Sequence, residues 1–461
     1  MAEEEAMYGV DLGKIEPLKE QELDRFASER PRSKKLYQRA LKSYLYGTPL
    51  HWMQQWPGSY PIYVDTAQGA RLTDVDGNTY VDFALGDTGA MFGHANEAVV
   101  EAIYARMRIG STMMLPTEDS IWVGEELQRR FGLPYWQMAT SATDANRFCL
   151  RLARMITGRD KVLVYNWNYH GSVDESQVML EEGAMVPRHG VAPNAMDFSR
   201  TTRVIEFNDV EALEQALEPE DIACVLAEPE MTNIGMVPVE PGYHDKLREL
   251  TRRHGTVLII DETHTISTGP GGYTRAHNLD PDMFVLGKSI AGGIPCAVYG
   301  VTEAIAERIW SILSRDTTGE EINHFGFGGT LVGNAATLAA MRATFSEIMT
   351  EENYAAMIRL ATRLEEGVDA TIREHGLPWH VTRIGARAEY LFRTSPPRTG
   401  GEAETARNFQ LESYMHLYFL NRGILLTPFH NMALICPATV DADIDLHNEI
   451  FERCVESLPR D

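Results

Sequence analysis

The chain has 461 residues, of which 44% are hydrophobic and 23% charged, and a formal net charge of −24. A chain of this length buries a substantial core and is expected to divide into two or three lobes, and the composition excludes a disordered or fibrous protein. The excess of acid leaves no surplus of Lys or Arg to neutralise phosphates, which argues against a nucleic-acid partner.

The first residues, MAEEEAMYGV, are acidic and lack the basic and apolar regions of a secretory signal. No stretch approaches the ~20 apolar residues of a membrane span. The five cysteines are scattered and form no CxxC, so they read as reduced, mostly buried thiols in a cytoplasmic protein. The histidines show no ligand spacing, so no metal site is expected.

Residues 16–46 are charged and helix-forming with a break at Pro31, which suggests an N-terminal helical arm. An aromatic loop, LHWMQQWPGSYPIYV, follows. Alternating residues around Asp76-Gly77-Asn78 then predict a hairpin in a small antiparallel sheet. From Ser141-Ala142-Thr143-Asp144 the apolar positions Ala145, Phe148, Cys149, Leu152, Met155 and Ile156 trace one face of a helix. Short β-branched runs at 161–166, 203–207, 222–228, 256–261, 283–287 and 296–301 alternate with amphipathic stretches, the pattern of a mainly parallel sheet covered on both faces by helices. After about Leu338 a helical stretch leads into a C-terminal lobe, in which TSPPRTGGEAE at 394–404 reads as a flexible loop.

The chemistry concentrates just past two of those runs. Asp261 follows TVLII and Lys288 follows MFVLG, so a parallel sheet brings an acid and an amine to one carboxyl-end crevice, where open α/β sheets hold ligands. A pyridoxal phosphate site needs such a pair: an amine to bond the cofactor aldehyde, and a carboxylate to keep the pyridine nitrogen protonated. Gly287-Lys288-Ser289 is not a P-loop, because Asp282 stands where that motif requires glycine. A helix opening at Ser141-Ala142-Thr143 offers free N–H groups and hydroxyls to a phosphate. Tyr169, after the run at 161–166, and the small Thr263 suit the two faces of a flat ring.

SATDANRFCLRLAR, NYHG, AEPE, IIDETHT, LGKSIAGGIP and FGGTLVGNAATLAA occur in the order and approximate spacing of the class III aminotransferases, which the chain resembles over most of its length. It looks most similar to the group of glutamate-1-semialdehyde aminomutase and the (S)-selective ω- and β-amino acid transaminases. The resemblance implies an α/β fold of type I, with a large domain built on a mainly parallel seven-stranded sheet at 86–337. A smaller α+β domain is formed by 1–85, the helical arm and antiparallel sheet, and by 338–461. It also implies that Lys288 holds the cofactor and shuttles the proton, that Asp261 pairs with the pyridine nitrogen, and that Thr263 and Tyr169 bracket the ring. Ser141, Ala142 and Thr143 map to the phosphate loop, Glu228 to the acid near the ring, and His264 to a position near the ring hydroxyl. Thr330 matches a threonine that reaches the phosphate of the neighbouring subunit, which implies a homodimer with shared active sites. The chain departs from the family pattern at Ala142 (usually Gly), Asp144 (commonly Glu), Thr263 (usually apolar) and His264 (often Gln or Met).

The expected reaction is transfer of an amino group from an amine or amino acid to a keto acid, ketone or aldehyde, with ping-pong kinetics. The alternatives are an aminomutase or racemase on the same cofactor and a non-catalytic homologue. An arginine fork is the usual clamp for a substrate carboxylate, yet LHWMQQWPGSYP and LLTPFHNMAL contain none. Trp52, Trp56, Tyr60 and Trp167 are candidates for an apolar substrate pocket or for packing, and Arg147, Arg387 and Arg393 are the remaining candidate carboxylate partners.

Overall fold

A computed structural model describes residues 8–191, 197–315 and 326–460. These fall into two units, one made of Glu97–Glu351 with Pro397–Glu404, the other of the segments before Glu97, Glu352–Pro396 and the chain from Thr405 onward.

The larger unit is built on seven strands, numbered here within that sheet: β1 (Tyr135–Ala139), β2 (Lys161–Tyr165), β3 (Thr202–Ile205), β4 (Ile222–Ala227), β5 (Val257–Asp261), β6 (Met283–Leu286) and β7 (Ala297–Val301). Their spatial order is β1-β7-β6-β5-β4-β2-β3, and only β7 runs antiparallel to its neighbours. β4, β5, β6 and β7 are buried along their whole length, so both faces must be apolar and no alternation survives. Period 2 still sorts the side chains. Val162, Val164, Val257 and Ile259 pack on one face with Phe148, Cys149 and Leu152 of the helix α1 (Ala142–Thr157). Leu163, Tyr165, Leu258 and Ile260 pack on the other with Leu213 of α2 (Val210–Leu217) and with Leu247 and Leu250 of α3 (Tyr243–Arg253).

The six runs read from the sequence are six of these strands. β1 is the seventh, and its half-exposed, aromatic and polar composition gave no β-branched signal. The residues at 394–404 are not simply a loop: a helix occupies Gly400–Thr405, and Gly401 N–H donates to Glu206.

The smaller unit holds a sheet of Val64–Gln68, Arg71–Asp74 and Thr79–Asp82 joined by Ile424–Leu425, and a second sheet of His380–Ile384, Arg387–Leu391 and Met432–Leu434. Asp74 Oδ1 accepts the N–H groups of Asp76 and Asn78, which closes the predicted hairpin turn. Pro31 opens the helix Pro31–Ala40, so the break in the N-terminal arm separates it from Ile15–Glu29.

The units divide at 96/97 and 351/352, later than the boundaries at 85/86 and 337/338 expected from sequence. His94 bonds back to Asp82 at 2.7 Å and pairs with Gly69, which ties 86–96 to the smaller unit. The helix Ala335–Ala343 packs on Glu97–Met107 and Glu118–Phe131, which keeps it in the larger one. Among the described residues no helix is long and apolar enough to cross a membrane. All five cysteines are buried free thiols.

Candidate active site

Asp261 is the last residue of β5 and lies opposite Val285 of the parallel neighbour β6, so Lys288 leaves the sheet at the same carboxyl edge. Asp261 is buried and accepts four hydrogen bonds. Oδ1 takes the Thr263 N–H at 3.1 Å and its hydroxyl at 2.6 Å; Oδ2 takes Asn146 Nδ2 at 2.8 Å and His170 Nδ1 at 3.0 Å. Burial alone would raise its pKa, but the His170 imidazole, Thr263 and Asn146 together bring it down to about 2. An ionised carboxylate has no proton to give, so His170 Nδ1 is the donor. Its Nε2 and Asn146 Oδ1 are buried with no hydrogen-bond partner.

Lys288 opens a turn of 3₁₀ helix, Lys288–Ala291, directly after Gly287. Its φ of +54° is a left-handed conformation that costs a non-glycine residue roughly 1–2 kcal/mol, and the buried Ser289, Ile290 and Ala291 hold it there. The Lys288 Nζ lies 2.8 Å from Nε2 of the buried His264. Ser289 Oγ, one residue on, is buried without a hydrogen-bond partner.

Ser141 caps α1, its hydroxyl accepting the Asp144 N–H at 3.2 Å, which leaves the first N–H groups of the helix directed outward. Two loops close on this terminus. A Cβ on Gly287 would lie 3.1 Å from that of Ala142. Gly171, at φ +77°, presses so near that a Cβ there would stand 1.9 Å from Thr143 Oγ1, and that same oxygen accepts the Ser172 N–H at 3.1 Å. Ser141, Ala142 and Thr143 are therefore gathered with Gly287-Lys288 and with the loop carrying Tyr169 and His170.

Glu228, just past β4, is buried and bonded to Thr232 and Asn233; burial raises its pKa against the pull of His170 and these donors. Tyr169 is half-buried between the buried Asn168 and His170. Thr263 turns its hydroxyl onto Asp261. Thr330 lies apart from these contacts, exposed on the rim of an apolar groove of about 1070 Å³ that also takes in Leu115, Trp136, Trp310 and Leu338.

Several substrate candidates have other duties. Tyr60 is buried against Phe26, with its hydroxyl on the Arg30 carbonyl, and Trp56 packs on the same cluster. Arg387 is fully buried beside Glu389, and Glu389 also accepts from His430 at 3.1 Å. Arg147 donates to the Ser172 carbonyl, and Trp167 packs under the core face of α2 and α3. Trp52 meets Phe429 edge-on. Arg393 is half-buried in the smaller unit, after Arg387–Leu391.

The residues missed by sequence reasoning are two of the partners of Asp261, His170 and Asn146. His170 sat beside the noted Tyr169. Asn146 was a polar residue next to the apolar stripe of α1, buried yet with no apolar reason to be there. Taken together, the donor chemistry fits pyridoxal phosphate: a fixed anion for a protonated ring nitrogen, an amine for an aldehyde, and a helix N-terminus with hydroxyls for a phosphate.

Comparison with known proteins agrees. Residues 52–455 match the family model for class III aminotransferases. The chain is 34% identical over 411 residues to a glutamate-1-semialdehyde 2,1-aminomutase of Desulfitobacterium hafniense, covering 87% of this chain and 92% of that one. It is 63% identical, with a TM-score of 0.96, to a crystal structure of a glutamate-1-semialdehyde aminomutase from Pseudomonas aeruginosa PAO1, covering 97% of this chain and 99% of that one. A lysine-to-alanine variant of the latter was solved in complex with PMP. An ω-transaminase from Sphaerobacter thermophilus is 25% identical with a TM-score of 0.83, over 92% of this chain and 97% of that one. The chain thus belongs to the class III aminotransferase family and is a pyridoxal phosphate-dependent enzyme of fold type I.

Proposed function

We propose that the enzyme is an aminomutase, moving an amino group between neighbouring carbons of one small substrate of the glutamate 1-semialdehyde type. What carries the reading is the 63% identity over 97% of the chain to the aminomutase structure. The sequence motifs by themselves favour transamination; the relatives at 34% identity favour the mutase.

Bound pyridoxal phosphate supplies an aldehyde that condenses with amines and a ring that draws electrons from the bond being broken. The chain's own residues do the rest. Asp261, kept anionic by His170, Thr263 and Asn146, holds the ring nitrogen in its protonated form. Ser141, Ala142 and Thr143 at the start of α1 bind the phosphate, and Tyr169 and Thr263 flank the ring, with Glu228 beside it. Lys288 Nζ anchors the aldehyde carbon between turnovers. Freed of that bond, Nζ would be placed to take a proton from the substrate carbon and to give one back.

Transamination is the second reading, favoured by the lack of arginine in 50–61 and 425–434, which suits a less acidic substrate. One assay separates the two. Holoenzyme given substrate with no second carbonyl compound yields the isomer with its amino group moved; a transaminase instead releases a carbonyl product and aminates an added acceptor. Isomer formation failing while an acceptor is aminated would sink the mutase reading. For either reading, the visible absorbance of the lysine-bound cofactor should vanish in Lys288→Ala.

The working form is a homodimer with Thr330 completing the partner's phosphate site. Supporting this, the larger unit exposes Met114, Leu115 and Ile121, which line the groove that includes Thr330, and Leu331, next to Thr330 in the chain, each more than half accessible. A monomer rarely leaves so much apolar surface in water. Light scattering at twice 51.7 kDa is the expected result, with weaker cofactor binding in Thr330→Ala.

A further inference from the structure

The inference drawn here rests on the reading of Lys288 as anchor and base. The left-handed turn after Gly287 fixes the Lys288 Cα, but four flexible carbons separate Cα from Nζ and leave the amine free to rotate unless something holds it. One contact that holds the far end is with His264 Nε2, at 2.8 Å. His264 leaves the carboxyl end of β5 three residues after Asp261 and is 5% exposed, so its ring is held by the protein rather than swung in water.

The chemistry of the pair sets its direction. An ammonium has donors and no acceptor, so a protonated Lys288 gives an N–H to Nε2. A neutral Lys288 has one lone pair, which it must keep for the substrate proton; donating an N–H to Nε2 leaves that lone pair free, whereas receiving one would consume it. One arrangement therefore serves both protonation states of the lysine: His264 neutral, its proton on Nδ1 and Nε2 open.

We propose that His264 is a catalytic partner of Lys288, a fixed acceptor that sets the rotation of the amine so that its lone pair, and then its acquired proton, faces the reacting carbons. In the step, the substrate C–H bond breaks and its electron pair stays with the substrate while Nζ gains the proton; the N–H bond then breaks as the next carbon is protonated. His264 gains and loses nothing, but Nζ keeps its hydrogen bond throughout.

The test uses His264→Ala and His264→Gln, the latter retaining an acceptor oxygen. In the apo protein, loss of the acceptor releases Nζ from the buried ring that holds it, so Lys288 in His264→Ala should be reductively methylated about fivefold faster, read by peptide mass spectrometry, with other lysines unchanged. In the holoenzyme the proton transfer should slow about tenfold or more, and the primary deuterium isotope effect at the substrate carbon should rise. His264→Gln should recover part of both. Unchanged methylation and an unchanged isotope effect in His264→Ala overturn the proposal. Failure of the wild-type chain to bond pyridoxal phosphate at all would instead refute the role of Lys288 and is read separately, from the wild-type absorbance.

Discussion

Asp261 and Glu262 are adjacent, both buried, and carry the same functional group, yet the first is held down at a pKa of about 2 and the second pushed up to about 7. Successive residues at the end of a strand face opposite ways. Asp261 meets the imidazole of His170, the amide of Asn146 and the hydroxyl of Thr263. Glu262 meets neutral donors, the N–H groups of Tyr273 and Thr274 and the Thr265 hydroxyl, and these do not offset its burial. Burial does not decide the charge of a carboxylate; its partners do. One edge of one strand thus offers a permanent anion toward the cofactor site and, behind it, a carboxyl group that ties the following loop.

The most severe way to break this contrast is Asp261→Asn. The amide keeps the shape and loses the charge that holds the ring proton, so kcat should fall roughly a thousandfold. Steady-state kinetics beside a cofactor titration checks it; retention of more than a tenth of the activity would remove Asp261 from the chemistry.

His170→Ala tests whether the imidazole sets that charge. A folded pKa below the ordinary 3.8 contributes stability that is full above that value and is lost as pH falls toward about 2. Without His170 the Asp261 pKa should rise, and the variant should lose about 2 kcal/mol at neutral pH because a charged group has lost a hydrogen bond. Denaturant melts at pH 7 and pH 3 should show the larger deficit at pH 7. An equal deficit at both would mean that His170 only packs.

How far this site could be read in advance follows from range. The strands were legible because β4 to β7 are buried on both faces and so are written in unbroken apolar, β-branched residues. Asp261 and Lys288 were legible because each sits where such a run stops. β1 was not, since its half-exposed residues carry no such run. Asn146 and His170 reach Asp261 across 115 and 91 residues, and nothing local to either marks the meeting. The reverse also occurred: Arg387 had the right chemistry for a substrate clamp, but the fold buries it beside Glu389. Tyr60, considered for a substrate pocket, is core.

Glu262→Gln addresses the other carboxyl group. Its folded pKa lies above the ordinary 4.5, so between pH 4.5 and about 7 the folded chain keeps a proton that the unfolded chain has released. Stability from this group therefore falls as pH rises through that window, with a slope of up to about 1.4 kcal/mol per unit. Glutamine does not titrate, so that part of the slope should disappear. A profile identical to wild type would mean that the carboxyl group is ionised throughout.

The smallest expected effect is that of Thr263→Val, and it decides what the hydroxyl is for. Thr263 Oγ1 donates to Asp261 Oδ1 at 2.6 Å, where the family usually has an apolar side chain. With Oδ1 and Oδ2 each receiving two donors, the carboxylate has no lone pair to spare, and a ring N–H must displace one of them. The hydroxyl is the most easily displaced, because it can rotate about one bond while the Thr263 N–H is fixed in the chain. Valine should cost the apo protein about 1 kcal/mol for the lost hydrogen bond. It should also leave Oδ1 open and more basic, so pyridoxal phosphate binds a few-fold more tightly and the melting-temperature gain on adding it exceeds that of wild type. Weaker binding in Thr263→Val would reverse the assignment, making the hydroxyl a ligand of the cofactor rather than a stand-in for its ring nitrogen.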